Sequence, residues 1–357
     1  MAIKYLGHKE HLLSHIKKVT NDLGPIETVA DLFSGTGSVS RLFREMNIKV
    51  HANDILKHCT VLARTNLLLE EEPNFEGLVE YEPALRKVPL PLLFDTPYNR
   101  VLTLLNMLPG TEGFFFKNYS PGEESKDGIR RMYFTEDNAR KIDSIRITIR
   151  DWYLKGFLSD IEHSLLLKDL MFAVNGVANI AGTYGYFMSK WGEGAKHPIH
   201  LVRSKMAKGR TDHIISQMNA NHLAKEVAVD LAFLDPPYTK RQYSAYYHIL
   251  ETIANEYEPK ISGKSGLRNC EENASDYCYK RLAPTALEDL ISSLDTKNII
   301  LSYNEDGQIE HDAILDMLSS RGEPKYLEFS FPRFKSNSGG TKGREVKERL
   351  YSVQVRR

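Results

Sequence analysis

Cysteine is scarce in this chain of 357 residues: Cys59, Cys270 and Cys278 are the whole complement, and no two form a C-x-x-C pair. That argues against a disulfide framework and a cysteine-rich zinc site. No apolar run approaches the length needed to span a bilayer, and the N-terminus lacks the charged-then-apolar order of a signal peptide. Net charge is missing too, since 47 Lys and Arg balance 47 Asp and Glu. Nothing global demands a polyanionic partner, so any basic surface must be local. At 41% hydrophobic content the chain has material for one large globular domain with an insertion. A cytoplasmic, membrane-free protein is expected.

What is present begins with Tyr5-Leu6-Gly7-His8-Lys9, followed by Leu12, Leu13, Ile16 and Val19 at helical spacing. His11 and His15 sit one turn apart there. Leu12 stands where a zincin helix needs Glu, so the two are read as solvated histidines and no metal is expected. Thr28 to Phe33 predicts a short strand, closed by Ser34-Gly35-Thr36-Gly37-Ser38, after which Val39, Leu42, Phe43 and Met46 open a helix. A strand, a Gly-x-Gly turn and a helix N-terminus let backbone approach a nucleotide-like ligand closely. Ser40 replaces the third glycine of a dinucleotide fingerprint. A second strand, Ile48 to Ala52, ends at Asn53-Asp54. Asp54 lies about twenty residues past the turn, where Rossmann-type folds place an acid on ribose hydroxyls. The alternative is an Asp that forms a turn or caps a helix before Ile55. An acidic strand end also suits an adenosine ligand that carries a positive centre rather than phosphates. Gly263-Lys264-Ser265 imitates the tail of a Walker loop, but Glu258 takes the place of its first glycine.

From Glu70 to Trp191 the alternation of strand and helix stops. Thr135 is placed to cap a helix with the apolar stripe Ala139, Ile142, Ile145, Ile149 and Trp152. Ser159 and Glu162 form a capping-box pattern that opens a second helix through Leu165, Leu166 and Leu170. This reads as a mainly helical insertion. Its arginines, interleaved with Tyr119, Tyr133 and Phe134, have the composition to track phosphates and stack on bases, and a solvated helix face explains the charges equally well. Phe94-Asp95-Thr96-Pro97-Tyr98 reads as a surface turn, because Pro89 and Pro91 break any strand that would feed it.

The most informative stretch is Val229 to Leu234 followed by Asp235-Pro236-Pro237-Tyr238. An apolar, partly β-branched run makes a buried strand, and two prolines end it, so Asp235 belongs at the strand's carboxyl end. In an open α/β sheet that end is where ligands bind. The turn aims one carboxylate, one carbonyl and one ring at a single crevice, an arrangement able to hold an exocyclic amine. Tyr243, Tyr246, Tyr247, Leu250, Ile253 and Tyr257 mark a helix beyond it, and residues 260–284 a polar loop. Asn298 to Leu301 is a further strand, ending in Ser302-Tyr303-Asn304, and Lys325 to Phe331 with Arg349 to Val355 flank the basic, glycine-rich Lys335 to Arg344. The expected class is α/β, with a mostly parallel sheet closed by an antiparallel hairpin, plus the inserted helical domain.

In this order the motifs resemble those of the adenine-specific DNA methyltransferases of the Dam-like class. Tyr5 to Lys9 is similar to the N-terminal cofactor motif, Asp31-Leu32-Phe33-Ser34-Gly35-Thr36-Gly37 to the S-adenosylmethionine loop, and Asp235-Pro236-Pro237-Tyr238 to the catalytic motif. Arg241-Gln242-Tyr243, Tyr247-His248, Ser302-Tyr303-Asn304, Asn118 to Pro121 and Arg131 to Thr135 resemble a subgroup found with restriction enzymes. The resemblance implies a Rossmann-like S-adenosylmethionine-dependent methyltransferase fold. It divides the chain into a cofactor part (1–75), an inserted target-recognition region (76–195) and a catalytic part (196–357). Catalysis falls to Asp235, Pro236, Pro237 and Tyr238. The cofactor set is Tyr5, Gly7, Lys9, Asp31, Phe33, Ser34, Gly35, Thr36, Gly37, Asp54, Asn221 and Asp235. Arg130, Arg131, Tyr133, Arg241, Lys264, Lys280 and Lys335 are the expected DNA contacts. The family carries a small residue where His8 stands, and an acid near Asn221, whose amide oxygen accepts with less charge.

The implied partners are S-adenosylmethionine, without a metal, double-stranded DNA and a companion restriction endonuclease. The expected state is a monomer or weak dimer, in a bacterial, phage or plasmid-encoded setting at the nucleoid. Carbon-5 cytosine methylation is excluded, because no cysteine follows a proline. RNA adenine methylation, cytosine-N4 methylation and a catalytically silent DNA-binding scaffold remain as rivals.

Overall fold

The computed structural model describes residues 9–89, 95–122, 128–332 and 345–356. Nine strands occur among them: β1 (Thr28–Asp31), β2 (Lys49–Asn53), β3 (Ile214–Ser216), β4 (Ala228–Leu234), β5 (Ile261–Ser262), β6 (Leu267–Arg268), β7 (Asp295–Asn304), β8 (Lys325–Pro332) and β9 (Glu345–Gln354). The chain divides into two compact units. One holds residues 57–211 and 244–272, the other 9–56, 212–243 and 273–356.

The second unit is built on a seven-stranded sheet in the order β3-β2-β1-β4-β7-β9-β8. Pairing is parallel from β3 through β7, and β9 runs antiparallel between β7 and β8. This is the expected α/β sheet with its closing hairpin. Strand periodicity sends alternate residues to opposite faces. Ala30, Leu32, Ala232, Leu234, Ile299 and Leu301 join the helices Ala283–Ser293 and His311–Ser319 in one apolar cluster. Phe233 meets Phe43 of α2 (Ser38–Glu45), which follows α1 (Leu13–Asp22) in the chain. The chain runs outward from β1 to β2 and β3, then returns to place β4 on the other side of β1. Carboxyl ends of β1 and β4 therefore lie side by side at the topological switch point, where such sheets bind ligands.

The first unit is mainly helical, with Glu136–Leu154 and Asp160–Val177 its longest helices. Thr135 caps the former through the Asn138 N–H, and Ser159 and Glu162 complete a capping box on the latter. Helix α3 (Lys57–Leu68) and the segment 244–272 belong to this same unit. The predicted helix after Asp235 is two shorter ones, Tyr243–Tyr246 and His248–Asn255. The Asp95-Thr96-Pro97-Tyr98 stretch is a helix start rather than a surface turn, with Phe94 outside the described residues. Thr96 caps Pro97–Met107, and Tyr98 is fully buried with its hydroxyl on Asp169.

Arg131 and Tyr133 correct a second expectation. Both are fully buried and so do not face a DNA phosphate or base in this structure. The turn between β5 and β6 explains their position. Nη2 and Nε of Arg131 donate to the carbonyls of Gly263 and Lys264 at 2.8 and 3.1 Å, while the hydroxyls of Tyr133 and Tyr119 reach those of Ser265 and Gly266 at 3.1 and 3.0 Å. Gly266 has a φ of +65°, and a Cβ there would come within 2.7 Å of Arg131 Nε, so only glycine fits. Four consecutive carbonyls thus find donors from buried side chains. Arg131→Met, which strips two of them, should lower stability by about 3 kcal/mol in urea denaturation. Ser159→Ala, which removes one cap, should cost about 1 kcal/mol.

Candidate active site

The loop after β1 is shaped by two glycines in the left-handed region, Gly35 at φ +51° and Gly37 at +78°. Gly37 is the residue just before α2, so a side chain there would strain the helix start. The loop is tied to β2. Ser34 N–H donates to the Asn53 carbonyl (2.8 Å), and Gly35 N–H donates to Oδ2 of Asp54 (2.9 Å). Asp54 Oδ1 accepts from Leu56 N–H at 2.9 Å, so this acid does form a turn, and it holds the glycine loop as well. Asn53, which the motifs did not mark, makes four bonds: to the carbonyls of Leu32 and Met218, and from Ser216 Oγ and Met218 N–H. It locks β1, β2 and the chain after β3 together at their carboxyl ends.

Asp31 is buried at the end of β1 with Oδ2 accepting from Ser40 Oγ. Its Oδ1 and the buried hydroxyl of Ser34 have no hydrogen-bond partner among the described residues. Burial pushes the Asp31 carboxyl up to about 7, and the charges of Asp235 and Asp54 add to the effect. Negative strand ends with unpaired buried polar atoms fit a ligand that brings hydrogen-bond donors and positive charge. Phe33 is partly buried beside them, its ring edge-on to Tyr277 at 5.3 Å. Asn221 is spoken for in part: Oδ1 accepts from Tyr277 hydroxyl at 2.7 Å, and Nδ2 donates to the Ala286 carbonyl and to Asp289. One lone pair of its oxygen remains for a further donor.

Asp235 follows β4 directly. Oδ1 lies 3.0 Å from Nζ of Lys9 as an ion pair without hydrogen-bond geometry, and no hydrogen-bond partner of Oδ2 occurs among the described residues. Lys9 is only 2% exposed, and its ammonium also reaches Oε1 of Glu348 on β9 at 2.7 Å. Glu348 in turn takes Ser302 Oγ at 3.2 Å and faces His11 Nε2 at 3.3 Å. Burial drives Asp235 up to about 6, against the pull of Lys9 and with the repulsion of Glu348. Glu348 is desolvated too, yet His11 and Lys9 hold it down at about 2. The Lys9 ammonium loses solvation, and its two acids still raise it above the ordinary lysine range. Lys9 therefore sits against the catalytic-motif acid, and sequence motifs did not single out Glu348 at all.

The Pro236-Pro237 turn carries Tyr238, whose carbonyl accepts from Gln308 N–H at 3.0 Å. Its ring lies 6.1 Å from that of Tyr303 and 5.4 Å from Lys9 Nζ. Tyr303 is fixed in turn by Ile309 N–H, which donates to its hydroxyl at 3.2 Å. The structure thus brings together Lys9, Asp31, Phe33, Ser34, Gly35, Gly37, Asp54, Asp235 and Tyr238 at one end of the sheet. Arg130, Arg241, Lys264 and Lys280 are exposed, the first and third in the helical unit, the others in the sheet unit. Tyr5, Gly7 and Lys335 lie outside the described residues. Among those described, no group of three or more His, Cys, Asp or Glu is arranged to hold a metal, and no helix is long and apolar enough to cross a membrane.

A family model described as D12 class N6 adenine-specific DNA methyltransferase matches residues 5–313. Modification methylase LlaI of Lactococcus lactis subsp. lactis is 33% identical over 320 residues, 88% of this chain and 48% of that protein. Type II methyltransferase M.FokI of Planomicrobium okeanokoites is 32% identical over 356 residues, 99% of this chain and 52% of its own. The chain thus spans about half the length of these two. It matches Type II methyltransferase M.NlaIII of Neisseria lactamica at 30% identity over 94% of this chain and 93% of that one.

The acid at the end of β1 has a measurable signature. Its folded value of about 7 stands above the ordinary 3.8, so the folded chain binds that proton more tightly. The resulting stability is complete below 3.8 and is lost as pH rises through about 7. Asp31→Asn should flatten the fall in melting temperature between about pH 5 and pH 8 and raise the melting point at the upper end. An unchanged slope would remove Asp31 from this role.

Proposed function

The chain belongs to the D12 class of N6 adenine-specific DNA methyltransferases, and from that membership we propose a site-specific enzyme. It transfers a methyl group from S-adenosylmethionine to the N6 amino group of an adenine in duplex DNA. The observation that carries this reading is Asp235: a half-buried carboxylate directly after β4, beside the glycine loop of β1, with one oxygen ion-paired to Lys9 and the other without a hydrogen-bond partner among the described residues.

An adenine amino nitrogen is a poor nucleophile, because its lone pair is delocalised into the ring. Asp235 Oδ2 and the carbonyl of Pro236 accept its two N–H groups and draw the nitrogen towards tetrahedral geometry. The lone pair so released is then free to accept an electrophilic carbon. The nitrogen then gives up one proton to Asp235 or to water. No covalent intermediate with the chain is needed, and the gain comes from positioning and from charge aimed at the reacting centre. When bound, S-adenosylmethionine supplies a methyl group made electrophilic by its sulfonium. Asp31, Phe33, Ser34 and the Gly35–Gly37 backbone are assigned to its amino-acid part, Asp54 to its ribose, and Asn221 to its adenine. Tyr238 is the stacking partner of the extruded base, since the target must leave the duplex to be reached.

Target recognition is assigned to the insertion, residues 76–195, with Arg130, Arg241, Lys264 and Lys280 as phosphate contacts. The relatives are named modification methylases and Type II methyltransferases. Those names support membership of a restriction–modification system; a companion endonuclease, action in the cytoplasm at the nucleoid and a monomeric or weakly dimeric state complete the proposal. The test is tritiated methyl transfer to duplex DNA followed by nucleoside analysis. Label in N6-methyladenine is the expected result, and label in N4-methylcytosine, or in RNA alone, would overturn the proposal. Asp235→Ala should lower turnover by at least about a thousandfold while DNA binding persists.

A further inference from the structure

An ammonium as deeply buried as Lys9 needs compensating charge, and the structure supplies two carboxylates for one cation. They are not equivalent. Glu348 is engaged through both oxygens: Oε1 takes Lys9 at 2.7 Å and Ser302 Oγ at 3.2 Å, and Oε2 faces His11 at 3.3 Å. Asp235 has a single longer contact, 3.0 Å, through Oδ1. The register Asn304↔Glu348 explains why the anchor can act there, since it sets Glu348 beside the carboxyl end of β7. Residue 348 also lies beyond the span 5–313 that the family pattern covers.

We propose that Glu348 is a positioning residue for methyl transfer: from the closing strand it anchors the Lys9 ammonium, confines it to Oδ1 of Asp235, and so reserves Oδ2 for the amino group of the substrate. The inference rests on the methyltransferase reading above. An ammonium carries three donors in a freely turning head. Without Glu348, those donors turn onto Asp235 and engage both oxygens, and an incoming amine then competes with a cation for its acceptor. Glu348 also works through space, because its charge opposes that of Asp235 and keeps the carboxylate a strong acceptor. The other groups that bear on Asp235 are His11 with Lys9 from the N-terminal segment, Asp31 from β1, and Tyr238 from its own turn. Lys9 pairs directly with Asp235, and Glu348 reaches it through Lys9.

The test compares wild type, Glu348→Gln, Glu348→Asp and Lys9→Met. It measures kcat, KM for S-adenosylmethionine, the acid limb of the pH–rate profile, and the ¹³C carboxyl titration of Asp235 without DNA or cofactor. Glu348→Gln should lower kcat about tenfold with KM changed less than about twofold, and should move the acid limb and the Asp235 titration to lower pH. Lys9→Met should move both to higher pH, because it leaves a half-buried carboxylate without its cation. Glu348→Asp, which keeps the charge, should hold the wild-type acid limb. Opposite shifts from two members of one cluster are not produced by a general loss of packing. An unchanged kcat and titration in Glu348→Gln, or shifts of the same sign in both variants, would overturn the positioning role. Should Glu348→Gln fail to fold, Lys9→Met and Glu348→Asp carry the comparison, and an unmoved Asp235 titration in Lys9→Met then overturns it. Wild-type protein that transfers no methyl group to DNA counts against the methyltransferase reading, and the titration, which needs no turnover, remains a separate readout.

Discussion

Parallel pairing of β1 with β4 is the constraint on which the sheet unit depends. It sets Asp31 level with Phe233 and so brings two strand ends, each finished by an acid, into one neighbourhood. The local remedies are a serine hydroxyl for Asp31, backbone N–H groups for Asp54 and a buried ammonium for Asp235. Each remedy leaves at least one lone pair unused, and those unused acceptors are what the proposed chemistry exploits. A strand order without the switch point would separate the acids and remove both the electrostatic cost and the site.

That cost is instructive. Desolvation raises Asp31 and Asp235, while Glu348, desolvated too but paired with His11 and Lys9, stays low. Three carboxylates in one region thus behave differently according to the charges and hydrogen bonds each one meets. The two groups left high are those with work assigned to them, and the one held low supports another residue. Stability is sacrificed at the strand ends and recovered in the apolar cluster beneath them, where Leu32, Leu234, Ile299 and Leu301 meet the flanking helices.

Local chemistry was legible in the sequence wherever it depends on neighbours in the chain. The Gly35–Gly37 turn, the cap at Thr135, the capping box at Ser159 and the proline stop after Leu234 each declare themselves within a few residues. Aromatic and basic residues of the insertion were less transparent. Arg131 and Tyr133 have the composition of a nucleic-acid surface, but the carbonyls of a turn more than 130 residues away draw them inward. Asp95 to Tyr98 misled in the opposite direction, since the Thr96 cap and the burial of Tyr98 depend on partners that flanking prolines conceal. Lys9 was visible as part of a motif, yet its partner Glu348 was not, because a single acid in a late strand carries no periodic or spacing signal.

The closing hairpin has a consequence for how the molecule comes into being. His11 and Glu348 are 337 positions apart, so the contact they share cannot form until the intervening residues have been made. Such contacts are the slowest to be rewarded during folding, because the intervening chain must already be ordered. Until β9 docks between β7 and β8, the Lys9 ammonium has no anchor, and nascent sheets lacking that strand hold an unfinished acceptor. The cluster around Lys9 is therefore completed late in folding.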